Sequence, residues 1–231
     1  MAFKKILQFP NPRLRRVSSD VDFAIDNVDE IVTDLVDTLD VATGAGLAAP
    51  QIGYEKNVVI IHPKAFGEEN PDPYPQRDKF MVLVNPKMTL SEEEVRWPEA
   101  CLSVPLGQGY VMRSETCDVS YRTWDGQEKT LALKWPLSAA LQHECDHLDG
   151  KLFIDRVSRF SRDSIVKKIT KLNKEKKRAA ERKKEEEIFD LYGEAGLRDY
   201  RKRKAQKNGS TKKKLLRKKK KPKTYGRKKK K

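Results

Sequence analysis

Cysteine, histidine and long apolar runs are all scarce in this chain of 231 residues, which has three cysteines and three histidines. No apolar run approaches the roughly 20 residues that a membrane-spanning helix needs. The N-terminal stretch 1–10 has too short an apolar core for a signal peptide. An odd, small number of cysteines argues against a disulfide framework and for a reducing compartment. We therefore expect a cytoplasmic protein with no membrane association.

Charge is distributed very unevenly along the chain. Residues 1–160 hold 18 Lys and Arg against 25 Asp and Glu, a formal charge of −7. Residues 161–231 hold 31 against 9, a formal charge of +22. This asymmetry predicts an acidic globular body followed by a basic segment whose partner is a polyanion.

A His-Glu-x-x-His motif at His143–His147 is the strongest chemical signal. Residues 137–148 contain no Pro or Gly, Pro136 suits a first turn, and Gly150 fits just past a helix end. On a helix, histidines four residues apart lie on one face and can bind one metal ion. Glu144, beside the first histidine, can then act as general base on a metal-bound water.

The motif by itself lacks a third ligand. No histidine follows it, and the only other one, His62, lies far upstream. A cysteine is the obvious replacement, and Cys101, Cys117 and Cys145 are the choices. Spacing turns Cys145 away from the histidine face, and Cys117 falls in a predicted strand, whereas prolines flank the segment around Cys101.

Three segments, in order, resemble the three sequence motifs of peptide deformylases. Gly44–Gln51 (GAGLAAPQ) resembles GxGLAAxQ, Glu99–Ser103 (EACLS) resembles EGCLS, and Gln142–Gly150 (QHECDHLDG) contains HExDHLxG. The resemblance covers about residues 3–175 and leaves out the tail. One departure is Ala100, which stands where the family has Gly.

This resemblance implies the reaction and its ligands. The expected reaction is hydrolysis of the N-formyl group from the formyl-methionine of nascent polypeptides, which releases formate. The expected metal ligands are Cys101, His143 and His147, with hydroxide on the metal as nucleophile. Ligand chemistry alone would suit zinc; the resemblance implies Fe²⁺, with Ni²⁺, Co²⁺ or Zn²⁺ able to substitute.

Further roles follow for residues around that metal. Glu144 is expected to take the proton of water and return it to the departing amine. Gln51 and the backbone N–H of Leu102 are expected to stabilise the charge on the formyl oxygen.

Five residues are expected to contact the peptide. Ala45 and Gly46 should offer backbone to an extended substrate. Ala139 and Ala140, one turn before His143, could form the floor of the methionine pocket. Arg113 lies near the position of an arginine of the family.

The predicted fold class is α+β, with antiparallel sheets around a central metal-binding helix. A first helix is expected over Asp26–Leu39 with Asp26 as N-cap, and a hairpin around Asp125–Gly126. We predict three parts: a catalytic domain at 1–160, a basic helical extension at 161–207 and a disordered lysine-rich tail at 208–231.

Two alternatives to a monomeric deformylase remain open from sequence. One is an HExxH metallopeptidase, and the other is a ribosome- or RNA-binding protein with a vestigial deformylase body. The basic segment also predicts that a deformylase would bind the ribosome or ribosomal RNA.

Overall fold

The computed structural model describes residues 3–67, 76–77 and 79–219. The described residues divide into two compact units, one ending at Lys171 and the other beginning at Leu172. In the first unit, α-helices pack against two antiparallel sheets, so the α+β class is confirmed. Within the described ranges, no helix is long and apolar enough to cross a membrane.

The first helix, α1, spans Val28–Ala42 and starts two residues later than predicted. Its N-cap is Asn27 rather than Asp26, because the Asn27 side chain accepts a hydrogen bond from the backbone N–H of Glu30 at 3.2 Å. Asp26 instead pairs with Lys56 at 2.6 Å. The helix ends at Thr43, which adopts a left-handed conformation with φ of 53°.

Eight strands form one six-stranded and one two-stranded antiparallel sheet. The larger sheet has the order β1-β2-β4-β7-β8, with β3 pairing to β4, and the smaller one pairs β5 with β6. The hairpin predicted at Asp125–Gly126 is present as β7 and β8. The strands are β1 Gly46–Ala48, β2 Val58–Ile61, β3 Gln76–Arg77, β4 Phe80–Leu90, β5 Glu94–Cys101, β6 Val104–Ser114, β7 Thr116–Arg122 and β8 Glu128–Lys134.

The larger sheet is covered on both faces, which explains why β2 is apolar throughout. Val58 and Ile60 belong to the hydrophobic cluster built on α1. Val59 and Ile61 belong to a second cluster that contains the apolar face of helix α2, Leu137–Leu148. Alternate side chains of a strand point to opposite faces, so a fully apolar strand is the expected sequence of a sheet between two helices.

The last element, α3, spans Arg159–Lys219 and is interrupted at Gly193, whose φ of 61° and ψ of −163° are not helical. Its beginning belongs to the first unit, because Ile165 and Ile169 are buried in a third cluster with Val104 and Phe153. The predicted catalytic domain, 1–160, ends before these two residues and so omits part of this hydrophobic cluster.

Beyond Gly193 the chain turns back on itself within the second unit. Arg201 pairs with Glu185 at 2.7 Å, and Lys204 lies 3.5 Å from Glu181, so the two helical segments run antiparallel. The predicted disordered tail, 208–231, differs from the structure in its first part, which is helical to Lys219. Lysine and arginine favour helix, which accounts for this difference. Residues 220–231 lie outside the described residues.

Candidate metal centre and active-site cleft

Three side chains from two elements meet at one point. Cys101 ends β5, and His143 and His147 lie one turn apart on α2. Their ligand atoms all lie within 4.8 Å of one another, and Cys101 Sγ is 3.2 Å from His147 Nε2. Of the three cysteines that sequence left open, only Cys101 is part of this cluster; Cys117 and Cys145 are buried elsewhere.

The protonation of these groups suits a metal. Burial opposes ionisation of Cys101, but the adjacent His147 and His143 lower the pKa of its thiol well below the usual range. The thiolate is the form of cysteine that binds metal. One thiolate and two imidazoles are ligands that first-row divalent ions accept. The three residues therefore fit a catalytic metal with an open coordination position.

A buried ion-pair network fixes the orientation of His143. Its Nδ1 lies 2.7 Å from Glu99 Oε2, which leaves Nε2 for the metal. Burial opposes ionisation of Glu99, but hydrogen bonds from His143 and Arg113 lower the pKa of its carboxyl to about 2. Arg113 donates to both oxygens of Glu99, at 2.6 and 3.0 Å, and to Asp146 at 2.7 Å. Asp146 also accepts from Arg156 at 2.5 Å.

This network corrects the prediction that Arg113 contacts substrate. Its guanidinium is 1% exposed, and its hydrogen bonds are directed at the two carboxylates. A group enclosed in this way cannot reach a peptide in the cleft. Arg113 instead holds Glu99, which in turn holds the ligand His143.

Gln51 points its amide nitrogen at the metal centre. It lies in a single turn, Ala49–Ile52, that directly follows β1. Its Oε1 accepts from the backbone N–H of Ala48 at 2.7 Å, and this contact fixes which way the amide faces. Nε2 is then 3.1 Å from Ser103 Oγ and 3.6 Å from Cys101 Sγ.

Glu144 lies against the same centre. Burial raises the pKa of its carboxyl to about 7. Its Oε2 is buried and has no hydrogen-bond partner among the residues described. Oε1 would be 2.5 Å from a β-carbon placed on Gly46. Gly46 is therefore a glycine because the carboxylate occupies the space that a side chain would need.

An open cleft of about 1200 Å³ leads to these groups. Ala45, Gly46, Leu102 and Ala140 all line this cleft. Ala139 does not; it is fully buried beside Ala140. Ala139 points about 100° away from Ala140 around the helix axis and faces the protein interior.

Several residues of the cleft and of the ion-pair network were not identified from sequence. Trp97 and Phe66 line the cleft, and so does Lys168 from the start of α3. Asp146 and Arg156 complete the buried network. The one available signal was Asp146, an acidic residue inside the His-Glu-x-x-His motif. An acidic side chain at a buried helix position is almost always paired with a cation.

The chain is similar to peptide deformylases in both sequence and structure. Residues 3–163 match the family model described as polypeptide deformylase. The peptide deformylase of Stutzerimonas stutzeri is 36% identical over 76% of this chain and 99% of its own length. That of Zymomonas mobilis is 38% identical over 75% and 97%. The crystal structure of a peptide deformylase from Legionella pneumophila superposes with a TM-score of 0.67 at 32% identity, over 77% of this chain and 99% of that one.

Proposed function

This chain belongs to the peptide deformylase family, and we propose how its residues divide the family's reaction among them. The activity is metal-dependent hydrolysis of the N-formyl group from the N-terminal methionine of nascent polypeptides. The observation that carries this conclusion is the cluster of Cys101, His143 and His147. The comparisons give no support to the metallopeptidase or to a vestigial body.

Cys101, His143 and His147 would hold the divalent ion, which would supply the Lewis acidity that activates a water molecule near neutral pH. Glu144 takes the proton of that water and delivers it to the amine nitrogen as the C–N bond breaks. The products are formate and a free N-terminal amine. Support for this role comes from the unpartnered Oε2, which is buried beside the metal ligands.

Two donors stabilise the charge that develops on the formyl oxygen. Gln51 presents Nε2, already fixed by the contact between its Oε1 and Ala48. The backbone N–H of Leu102 follows the ligand Cys101 directly. Donors held in place before the reaction need no reorganisation, which is why each can contribute about 3–4 kcal/mol.

Fe²⁺ is the proposed ion, with Ni²⁺, Co²⁺ or Zn²⁺ as substitutes. The thiolate and two imidazoles accept any of these ions, and the choice of iron rests on the resemblance to deformylases. Metal analysis of protein purified without oxygen, compared with formate release after reloading with each ion, would test the choice.

Formate release from formyl-Met-Ala tests the assignment of roles. We expect turnover by protein loaded with Fe²⁺ or Ni²⁺, none by Cys101→Ala because the metal is lost, and none by Glu144→Ala although the metal stays bound. Metal content measured on each variant separates these two failures. Turnover by Glu144→Ala at the wild-type rate would contradict its role.

The peptide itself is proposed to lie along β1 as an added strand, contacting the backbone at Ala45 and Gly46. Ala140 leaves room for the unbranched methionine side chain. Both proposals rest on the exposure of these residues to the cleft. Ala139 would act only by packing beneath Ala140.

We propose that the basic C-terminal segment binds ribosomal RNA. In its helical hairpin, residues 172–184 of the first arm and 200–219 of the second hold 7 basic against 2 acidic residues and 11 against none. Residues 185–199, which contain the break at Gly193 and the adjoining ends of both arms, hold 1 basic against 6 acidic. Phosphate contacts should therefore be made by 172–184 and 200–219 and avoided by 185–199.

Ribosome co-sedimentation of the full chain tests this partition. Lys176, Lys177 and Arg178 are exposed on the first arm, and their joint replacement by Gln should weaken binding. Each lost phosphate contact should make the slope of log affinity against log salt shallower by roughly 0.7–0.9. The matched control replaces Lys87, Lys129 and Lys134, exposed on the body, by Gln. Equal losses in both triple variants would contradict the proposal, because net charge alone would then explain the binding.

We also propose that the enzyme acts as a cytoplasmic monomer. Free thiols at Cys101, Cys117 and Cys145 are compatible with a reducing compartment. The catalytic domain is proposed to run to Lys171, so that it includes Ile165 and Ile169.

A further inference from the structure

The first turns of α3 form part of the wall of the active-site cleft. Ile165 and Ile169 are 5% and 1% exposed and belong to the cluster that contains Val104 and Phe153. A β-carbon on Gly107, in the cleft wall, would lie 3.1 Å from Ile165 Cγ2. The backbone at Gly107 and the helix are thus in close contact. This packing fixes the start of α3 beside the cleft.

Lys168 is placed at the edge of that buried face. Residues of a helix are rotated by about 100° from one to the next. Lys168 therefore points about 60° away from Ile165 and about 100° away from Ile169. It is exposed and lines the cleft. Lys167 points about 160° away from both isoleucines and does not line the cleft.

Among the described residues of the cleft wall, only Lys168 carries an exposed charge. The other charged groups there, Glu99 and Glu144, are buried, and Glu99 is paired with Arg113. Within the described residues, no acidic side chain forms an ion pair with Lys168. A peptide that leaves the metal centre through this cleft passes this uncompensated cation.

We propose that Lys168 selects substrates with an acidic side chain downstream of the formyl-methionine. The ligand it takes is a carboxylate of Asp or Glu in the nascent peptide, paired with the Lys168 ammonium. This inference rests on the deformylase function, because it needs the N-terminus of the peptide to be held at the metal. The segment that carries the basic tail thus also contributes to substrate recognition.

Formyl peptides with an amidated C-terminus test the proposal. Two matched series carry Glu or Gln at the second, third or fourth position, with Ala elsewhere after the methionine. The quantity measured is the ratio of kcat/KM for each Glu peptide to that of its Gln partner, at low salt. An exposed ion pair should give the wild-type enzyme a ratio of about two to five at one position. The ratio should fall towards one as salt is added.

Three variants make the test specific. Lys168→Gln should bring the ratio to about one, and Lys168→Glu should bring it below one, because like charges then meet. Lys167→Gln changes the same charge on the same helix and should keep the wild-type ratio. A wild-type ratio of one at every position, or an equal ratio in Lys168→Gln, would overturn the proposal.

The neutral peptides keep this test separate from the activity itself. Absence of formate from every Gln peptide with the wild-type enzyme would be a failure of the deformylase assignment. In that event the same Glu and Gln peptides, measured by calorimetric binding, would still report the preference of Lys168. Tighter binding of a Glu peptide that disappears in Lys168→Gln would support the proposal, and equal binding would refute it.

Discussion

Replacing Arg113 by Met should lower both the free energy of unfolding and the affinity for the metal. Arg113 makes three hydrogen bonds to two buried carboxylates, at 2.6, 2.7 and 3.0 Å. The side chains of Arg113, Glu99 and Asp146 are 1%, 2% and 6% exposed. Met has a similar volume, so the main change is that two carboxylates lose a cation.

The expected loss of unfolding free energy is about 3 kcal/mol, the lower end of the range of roughly 3–5 kcal/mol for breaking a buried ion pair. The lower end applies because Asp146 keeps Arg156 and Glu99 keeps His143. Metal affinity should fall by about 10–100-fold, since Glu99 would hold the ligand His143 less firmly.

Urea unfolding of metal-loaded protein and competition with a metal indicator measure the two effects. Arg122→Met is the control, because Arg122 forms an exposed pair with Glu128 that should contribute no more than about 1 kcal/mol. The double variant Arg113→Met with Glu99→Gln removes a buried anion together with its cation. It should unfold at higher urea than Arg113→Met alone, with a coupling energy of about 1 kcal/mol or more.

Two results would refute this reasoning. One is an Arg113→Met protein within about 1 kcal/mol of wild type, which would mean that the network is not strongly coupled. The other is a double variant whose loss equals the sum of the two single losses, because residues that share a buried ion pair should not be additive.

Three further predictions concern the metal centre. Gly46→Ala should lower formate release by about 10²-fold with metal content unchanged, because the new β-carbon displaces the Glu144 carboxylate; near-normal activity would contradict the steric argument. Gln51→Ala should lower kcat by about 10²–10³-fold with little change in KM, whereas a rise in KM alone would mean that Gln51 binds the ground state. Removal of metal by a chelator should abolish activity and lower the urea midpoint of the wild type. The same chelator should leave the midpoint of Cys101→Ala unchanged, and an equal shift there would contradict the ligand assignment.

Sequence was sufficient for the parts of the site that depend on local spacing. Histidines four residues apart lie on one face of a helix, so the spacing of His143 and His147 was enough to predict that both bind one metal ion. The continuous apolar run of β2, and the Asp-Gly turn between β7 and β8, are equally local. The three motifs then supplied Cys101 and Gln51 through family resemblance.

Local spacing could not place residues whose partners are distant in the chain. Arg113 was assigned to substrate, but it lies within reach of Glu99 and Asp146, which are 14 and 33 residues away in the sequence. Asn27 rather than Asp26 caps α1, because Lys56 from a separate loop binds Asp26. In both cases the role of the side chain was decided by a tertiary contact that the local sequence does not reveal.

The sequence by itself determined the chemistry of this protein: a thiolate and two imidazoles, a carboxylate beside them, an amide donor, and a basic segment after an acidic body. The imidazole pair, the carboxylate and the basic segment follow from residue types and short spacings, and the resemblance to deformylases added Cys101 and Gln51. Only the tertiary structure decided which alanine faces the cleft, that Arg113 is enclosed by carboxylates, and that Lys168 belongs to the cleft at all. Those outcomes depend on how buried faces pack, and packing brings together residues whose distance along the chain carries no information about their distance in space.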